Sequence, residues 1–325
     1  MGSRGIGRRA VIGLAAGAAA LWAAAAGAQE RPLLLTLGTA TEGGGFAVFG
    51  AALAAAVTAA DPALTLELRP TEGSAANIPL LEEERIDLGL IQGTSAYEAL
   101  AGIGREAADL WIVAAMYSSP GMFVVRADSR YRSIADLAGE RIVLGASGSG
   151  LVVLARYVLT GLGYDPDRDF QPVLLERAGD GPPMVLDGWA AALWGGGVGW
   201  PGFGRVAAGP YGGRFIGLTE DERARVQAKY PFLKPMTVPA GSYPAITAPL
   251  ATVGSWNLVL SREKLPDDAA YRLARAMHRA EADLARRLPQ ASETTAANTV
   301  AAAPRLELLH PGTARYLREA GLLRD

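Results

Sequence analysis

Four segments of this chain share a construction that can do chemistry. "LGTATEGGGF" at 37–46, "TEGSAANIPLL" at 71–81, "IQGTSAYEA" at 91–99 and "LGASGSGLVV" at 144–153 each run from an apolar stretch through Gly, Ser and Thr into a helical pattern. Backbone N–H groups at a helix start point at anions, and the helix dipole favours negative charge there. Loops of this kind gather at the carboxyl ends of strands in an open α/β sheet, where they can bind an anion without Arg or Lys. Ser and Thr also serve as plain N-caps. The reading therefore rests on four such loops together and on no single one.

Phosphate fits the first loop badly. A P-loop needs Lys and then Ser or Thr after its last Gly, and here Gly45 is followed by Phe46 and Ala47. The spacing of Gly38, Gly43, Gly44 and Gly45 does not supply G-x-G-x-x-G either. A smaller anion such as one carboxylate remains. The fourth loop resembles a nucleophile elbow, with His310 downstream as a base, but G-x-S-x-G requires Gly two residues after the Ser, and Ser147 is followed there by Ser149. Two scattered His and no Cys provide no metal-ligand spacing. The acidic run "LEEERID" at 81–87 reads as a solvated helix face.

The elements that must position these loops alternate short apolar runs with helical patterns, which predicts an α/β fold with mostly parallel strands. Strands are expected at 33–37, 64–70, 88–92, 111–116, 122–126, 141–145, 192–194 and 257–261. Helices are expected at 45–60, 77–84, 95–101, 133–138, 150–161, 220–229, 266–288 and 311–320, most of them beginning near Ser, Thr, Asp or Pro. The apolar, Gly/Pro-rich segments "DGPPMVLDGW" and "WGGGVGWPGFG" read as cleft walls.

The length of 325 residues suggests two domains. Half the residues are hydrophobic and a fifth are charged, the composition of a globular chain. The first 28 residues carry Arg4, Arg8 and Arg9, an apolar stretch from Ala10 to Ala26, and Ala26-Gly27-Ala28 before Gln29, the layout of a cleavable secretory signal peptide. The Arg pair leaves the Sec or Tat route undecided. Removing the leader takes away three Arg and no acid, so the net charge of −2 becomes −5, a poor balance for nucleic-acid binding. With no Cys, disulfides and lipoprotein anchoring are excluded, and a periplasmic location suits the chain.

The four loops, followed by "DSRYRSIADLAGERIVLGASGSG", "AGSYPAI" and "HPGTARYLREAG", come in the order of the TAXI family, the TRAP-associated extracytoplasmic immunogenic solute-binding proteins, which the mature chain resembles along nearly its whole length. The segment from His310 to Tyr316 is the most specific piece. The resemblance implies a type II periplasmic-binding-protein fold: two lobes with a ligand cleft at the hinge, no catalysis, no cofactor and no metal. It implies capture of a small organic solute and delivery to the membrane subunits of an ion-driven TRAP transporter, and the Gly-rich first loop would hold part of a carboxylate-type solute. A monomer is expected. Lobe 1 would comprise residues 29–118 and 253–325 and lobe 2 residues 119–252, with crossing strands near 117–120 and 249–255.

Carried over motif by motif, the resemblance implies ligand-binding roles for Gly38, Thr39, Gly44 and Phe46 in the first loop, Ser74 and Asn77 in the second, and Gln92 and Thr94 in the third. Ser147, Gly148, Ser149 and Gly150 would face them from the other lobe, with Gly199, Trp200 and Pro201 closing the wall. The chain departs from the family pattern in having Phe46 and Ala47 for two Tyr, Thr94 for an Asp and Leu151 for a Thr. Each departure removes or weakens a polar group, and Trp189, Trp194 and Trp200 lie in or near the wall. The expected ligand is a carboxylate with an apolar or aromatic body and no cationic amine. Two other classes share the same residues: a sensory protein presenting its ligand to a membrane receptor, and a periplasmic hydrolase using Ser147 or Ser149.

Overall fold

The computed structural model describes residues 31–324, so the signal-peptide reading of residues 1–28 lies outside the described residues. Two sheets share a pair of long antiparallel strands, β4 (Leu110–Arg126) and β10 (Leu250–Arg262). Sheet 1 contains β1 (Leu33–Gly38), β2 (Leu64–Arg69) and β3 (Leu88–Ile91), with β1 parallel to both β2 and β3. Beyond β3 come β10 and then β4, through antiparallel pairs that end at Gly254 opposite Pro120. Sheet 2 takes over from Gly121 onward. There β4 pairs with β7 (Ala192–Gly196) and β8 (Gly213–Ile216), while β5 (Arg141–Ala146) runs parallel to β6 (Gln171–Leu175) and β7. The start of β10 pairs with β9 (Lys234–Val238). The two sheets are thus joined by two continuous strands, crossing at 118–121 and 253–256.

Helices cover both faces of each sheet. On sheet 1, α1 (Gly45–Ala60) packs against α8 (Asp267–Arg287) over Leu37, Phe49, Leu53, Val57, Leu273 and Leu284. The opposite face is covered by α2 (Ser74–Glu82), α3 (Gly93–Ala101) and α10 (Pro311–Glu319), with α9 (Ala296–Ala302) beside them. On sheet 2, α4 (Gly150–Gly161) and α7 (Glu220–Lys229) pack on one face, and α5 (Gly181–Leu186) and α6 (Pro201–Ala207) on the other. Helix α8 has Ala, Leu and Met at core-facing positions for five turns, and its ends follow the dipole, with Asp267 and Asp268 first and Arg286 and Arg287 last. Helix α7 has almost no apolar face and is held at its start by a capping box in which Thr219 and Glu222 bond reciprocally.

Three expectations were incomplete. The stretches 111–116 and 122–126 are one strand, because Ser118, Ser119 and Pro120 between them continue extended as they pass from one sheet to the other. Strands β6, β8 and β9 escaped the sequence reading: β6 and β9 each contain a Pro and β8 has only four residues. The segment at 133–138 makes only a short 3-10 turn at Ala135–Leu137. Among the described residues no helix is long and apolar enough to cross a membrane.

Candidate functional site

Every parallel strand that feeds a helix toward the crossing strands ends at one cavity. It encloses about 640 Å³ of non-atom space, part of it continuous with solvent, and lies between the sheets with β4 and β10 as its floor. Helix α1 contributes its first turn, Gly44, Gly45 and Phe46, α2 contributes Gly73 and Ser74, and α3 its N-cap Gln92. Helix α4 contributes Ser149, Gly150 and Leu151, and α6 its N-cap Trp200. The starts of five helices thus meet at one space. No side chain caps α1, and of its opening residues Gly45 and Phe46 border the cavity.

Polar side chains of the wall already accept hydrogen bonds from the protein. Ser74 Oγ accepts from Gln92 N–H at 3.0 Å, Ser149 Oγ from Leu151 N–H at 3.2 Å and Thr41 Oγ1 from Ala178 N–H at 3.2 Å, and in each case the O–H proton remains to donate. Gln92 Oε1 accepts from both the N–H and the hydroxyl of Thr94, while its Nε2 donates to Ser255 Oγ at 2.9 Å. Asn257 and Ser119 satisfy each other on the floor, and Asn257 Nδ2 also donates to Tyr117 O at 3.0 Å. The remaining wall is apolar: Phe46, Leu151, Trp194 and Trp200, with both indole N–H groups donating to backbone oxygens. Glu72, exposed at the rim, and Tyr117 are the only ionisable side chains among the described residues of the wall.

Of the residues singled out from the sequence, Gly44, Phe46, Ser74, Gln92, Ser149, Gly150 and Trp200 line this cavity, as does Leu151 among the departures. Six others do not. Asn77 is fully buried behind the wall, where its Nδ2 donates to Thr39 O and Leu90 O and its Oδ1 accepts from Thr71. Thr39 bonds Arg69 O, and Gly38 leaves room for Asn77, since a Cβ there would lie 2.5 Å from Asn77 Oδ1. Thr94 is turned onto Gln92, Ser147 is exposed, and Gly148 lies in the seam between lobes, its carbonyl accepting from Ala75 N–H at 3.1 Å. In the closing wall only Trp200 reaches the cavity, since Gly199 lies against Gln290 and Pro201 is exposed beside the outer groove. Trp189 is exposed on lobe 2 under Arg141, away from the cavity. The segment 180–189 forms α5 and its turn, and so does not wall the cleft. The reading missed Thr41, Tyr117, Ser119, Ala178 and Asn257. Tyr, Ser and Asn interrupting otherwise apolar strands were the available signal for the three on the floor.

The lobes touch on both flanks of the cavity. Gly43 packs on Gly179, where a Cβ would lie 2.5 Å from Gly179 Cα, and Trp200 Nε1 donates to Gly43 O at 3.2 Å. Gly148 packs on Glu72, and Gly150 on Ser74, Gln92 and Ser95. Further out, Tyr97 stacks on Phe232 at 4.2 Å and Tyr157 donates to Glu98 at 2.7 Å.

The NMT1-like family model matches residues 37–321. The chain belongs to the NMT1-like family. Solved structures with this fold include the periplasmic binding protein BugD, 11% identical with a TM-score of 0.55 over 91% of this chain and 99% of that one. A putative L-cystine ABC transporter protein from Listeria monocytogenes is 13% identical with a TM-score of 0.50 over 81% and 98%. The fold of this NMT1-like chain is therefore the two-lobed α/β arrangement of periplasmic binding proteins, with its cleft where their lobes meet.

The hydrolase constellation does not form in this NMT1-like protein. His310 is buried on the sheet 1 side, where its Nε2 lies 2.9 Å from Leu265 O and its Nδ1 accepts from Gly312 N–H to cap α10. Burial holds its pKa below the usual His range, though the Leu265 carbonyl opposes this. Ser147 and Ser149 belong to the other lobe. Among the described residues no group of three or more His, Asp or Glu is placed to hold a metal ion.

Proposed function

We propose that this chain is an exported solute-binding protein. Its two lobes, residues 29–118 with 253–325 and residues 119–252, close about β4 and β10 around a small carboxylate that has an apolar or aromatic body. The observation that carries this is the cavity's one-sided polarity. Helix N-termini and hydroxyls that already accept a backbone N–H offer hydrogen-bond donors, whereas the side-chain amide oxygens are already paired. A carboxylate placed there gains charge-assisted bonds and the dipoles of α1 and α4. The apolar wall suits a hydrocarbon body. An ammonium group inside would meet no side-chain carboxylate except Glu72 at the rim, leaving its charge to neutral hydroxyls and backbone, at a cost of about 1–3 kcal/mol in poorly made hydrogen bonds.

The order of motifs resembling the TAXI family supports delivery of this ligand to a TRAP transporter in the membrane from a periplasmic location. Membership of the NMT1-like family and the fold support the coarser role of solute binding. The exposed carboxylate of Glu72 at the rim favours a second reading, in which an amino acid points its ammonium group outward.

Calorimetry on residues 29–325 separates the two readings. Phenylacetate and 4-methylpentanoate are expected to bind at least about 10-fold more tightly than phenylalanine, leucine and glutamate. If the amino acids bind more tightly, the donor-only reading falls and the rim reading stands. Affinity for the simple acids is also expected to stay level from pH 6 to 9. Burial pushes the Tyr117 pKa upward, so its phenol keeps its proton throughout this range and never becomes an anion facing the ligand. A fall in affinity between pH 7 and 9 would contradict this.

A further inference from the structure

Tyr117 stands apart from every other polar group of the cavity. The residue is only 3% exposed, and no hydrogen bond to its hydroxyl is formed among the described residues. It lies on the cavity wall, and its hydroxyl is not among the fully enclosed polar atoms without a partner, so what is left of its exposure opens on the cavity. The ring is fixed, edge-on to Phe49 at 5.3 Å and to Phe46 at 6.5 Å, and its backbone carbonyl is held by Asn257. The hydroxyl is therefore aimed by packing. Its direction is given by Gly45: a Cβ on that residue would lie 3.1 Å from Tyr117 Oη, so the phenol reaches the uncapped first turn of α1.

We infer that Tyr117 is the specificity-determining donor of the cleft, its O–H bonding one oxygen of the bound carboxylate while the N–H groups opening α1 hold the other. The inference rests on the carboxylate reading of the site and adds the residue that selects an anion over an isosteric neutral group. A helix start alone attracts negative charge diffusely. A fixed phenol beside it sets where the second oxygen must lie, and being raised in pKa by burial it meets the anion as a neutral donor. Gly45 is required by the same geometry, since a side chain there would fill the space between the phenol and the helix.

The test compares phenylacetate with phenylacetamide in the wild-type protein and in Tyr117→Phe, by calorimetry. The substitution removes one oxygen and keeps the ring between Phe46 and Phe49, so the melting temperature of the free protein serves as the check on folding. Affinity for phenylacetate is expected to fall about 10-fold in Tyr117→Phe, with a smaller loss for the amide, so that the preference for acid over amide shrinks. If the wild type binds phenylacetate and Tyr117→Phe binds it equally well, or if acid and amide lose affinity equally, the assignment of Tyr117 is overturned while the carboxylate reading stands. If the wild type binds neither phenylacetate nor 4-methylpentanoate, the carboxylate reading fails and the role of Tyr117 fails with it.

Discussion

Replacing Gly150 with Ala is expected to weaken ligand binding about 100-fold while leaving the melting temperature of the free protein level or slightly higher. Gly150 opens α4 on lobe 2, and a Cβ there would overlap Gln92 Cβ and come within 2.9 Å of Ser74 Oγ and Ser95 Oγ, all on lobe 1. The nearest of these atoms is fixed to the backbone and cannot swing away. Overpacking of this kind costs about 1–3 kcal/mol, and the upper figure corresponds to a factor of about 100 in an equilibrium constant. The strain arises only where the lobes meet, so opening the cleft relieves it without unfolding either lobe. Within α4 itself, Ala is the better helix former.

Stability and affinity should therefore move in opposite directions, which distinguishes a closure defect from a folding defect. Gly204→Ala is the control, because Gly204 is also helical but a Cβ there would meet nothing within 4 Å. Calorimetry with phenylacetate or 4-methylpentanoate reads affinity, and a thermal melt reads stability. Equal affinity in Gly150→Ala and wild type would mean that ligand binding does not require the contact between α4 and Gln92.

The four Gly/Ser/Thr loops were legible because strand, small-residue turn and helix start are local patterns, and their meeting at one cavity follows from where β1, β2, β3 and β5 end around the crossing strands. What could not be read was which way a side chain in such a loop turns. Thr94 and Ser74 look alike in sequence, yet the first is consumed by Gln92 and the second borders the cavity, because Gln92 caps α3 and draws the Thr94 hydroxyl to itself. Ser147 and Ser149 are two residues apart, and only the one that caps α4 borders the cavity. The floor was hidden for another reason. Tyr117 and Ser119 on β4 are far in sequence from Asn257 on β10 and become its neighbours only when the two strands pair, a long-range register that no local pattern contains.

Asn77 shows what a residue behind the cavity wall can do, and Asn77→Leu is expected to cost about 3 kcal/mol in stability, with ligand affinity falling as a consequence. The side chain is fully buried, and its amide ties three chain segments together: the end of β1 through Thr39 O at 2.9 Å, the end of β3 through Leu90 O at 3.0 Å, and the loop before α2 through Thr71 Oγ1 at 2.8 Å. Leu has similar bulk and fills the space, so the loss comes from polarity alone. Thr39 O keeps its bond from the Thr71 hydroxyl, but the amide's two donors and one acceptor vanish together, at about 1 kcal/mol each net and more where a partner is left buried and unpaired. Denaturant unfolding measures the change. A direct ligand contact would behave in the opposite way, losing affinity with little change in unfolding. Stability within about 1 kcal/mol of wild type together with lost binding would return Asn77 to the cavity wall, where the sequence motif had placed it. A large loss of stability makes it the post on which the first three loops are hung.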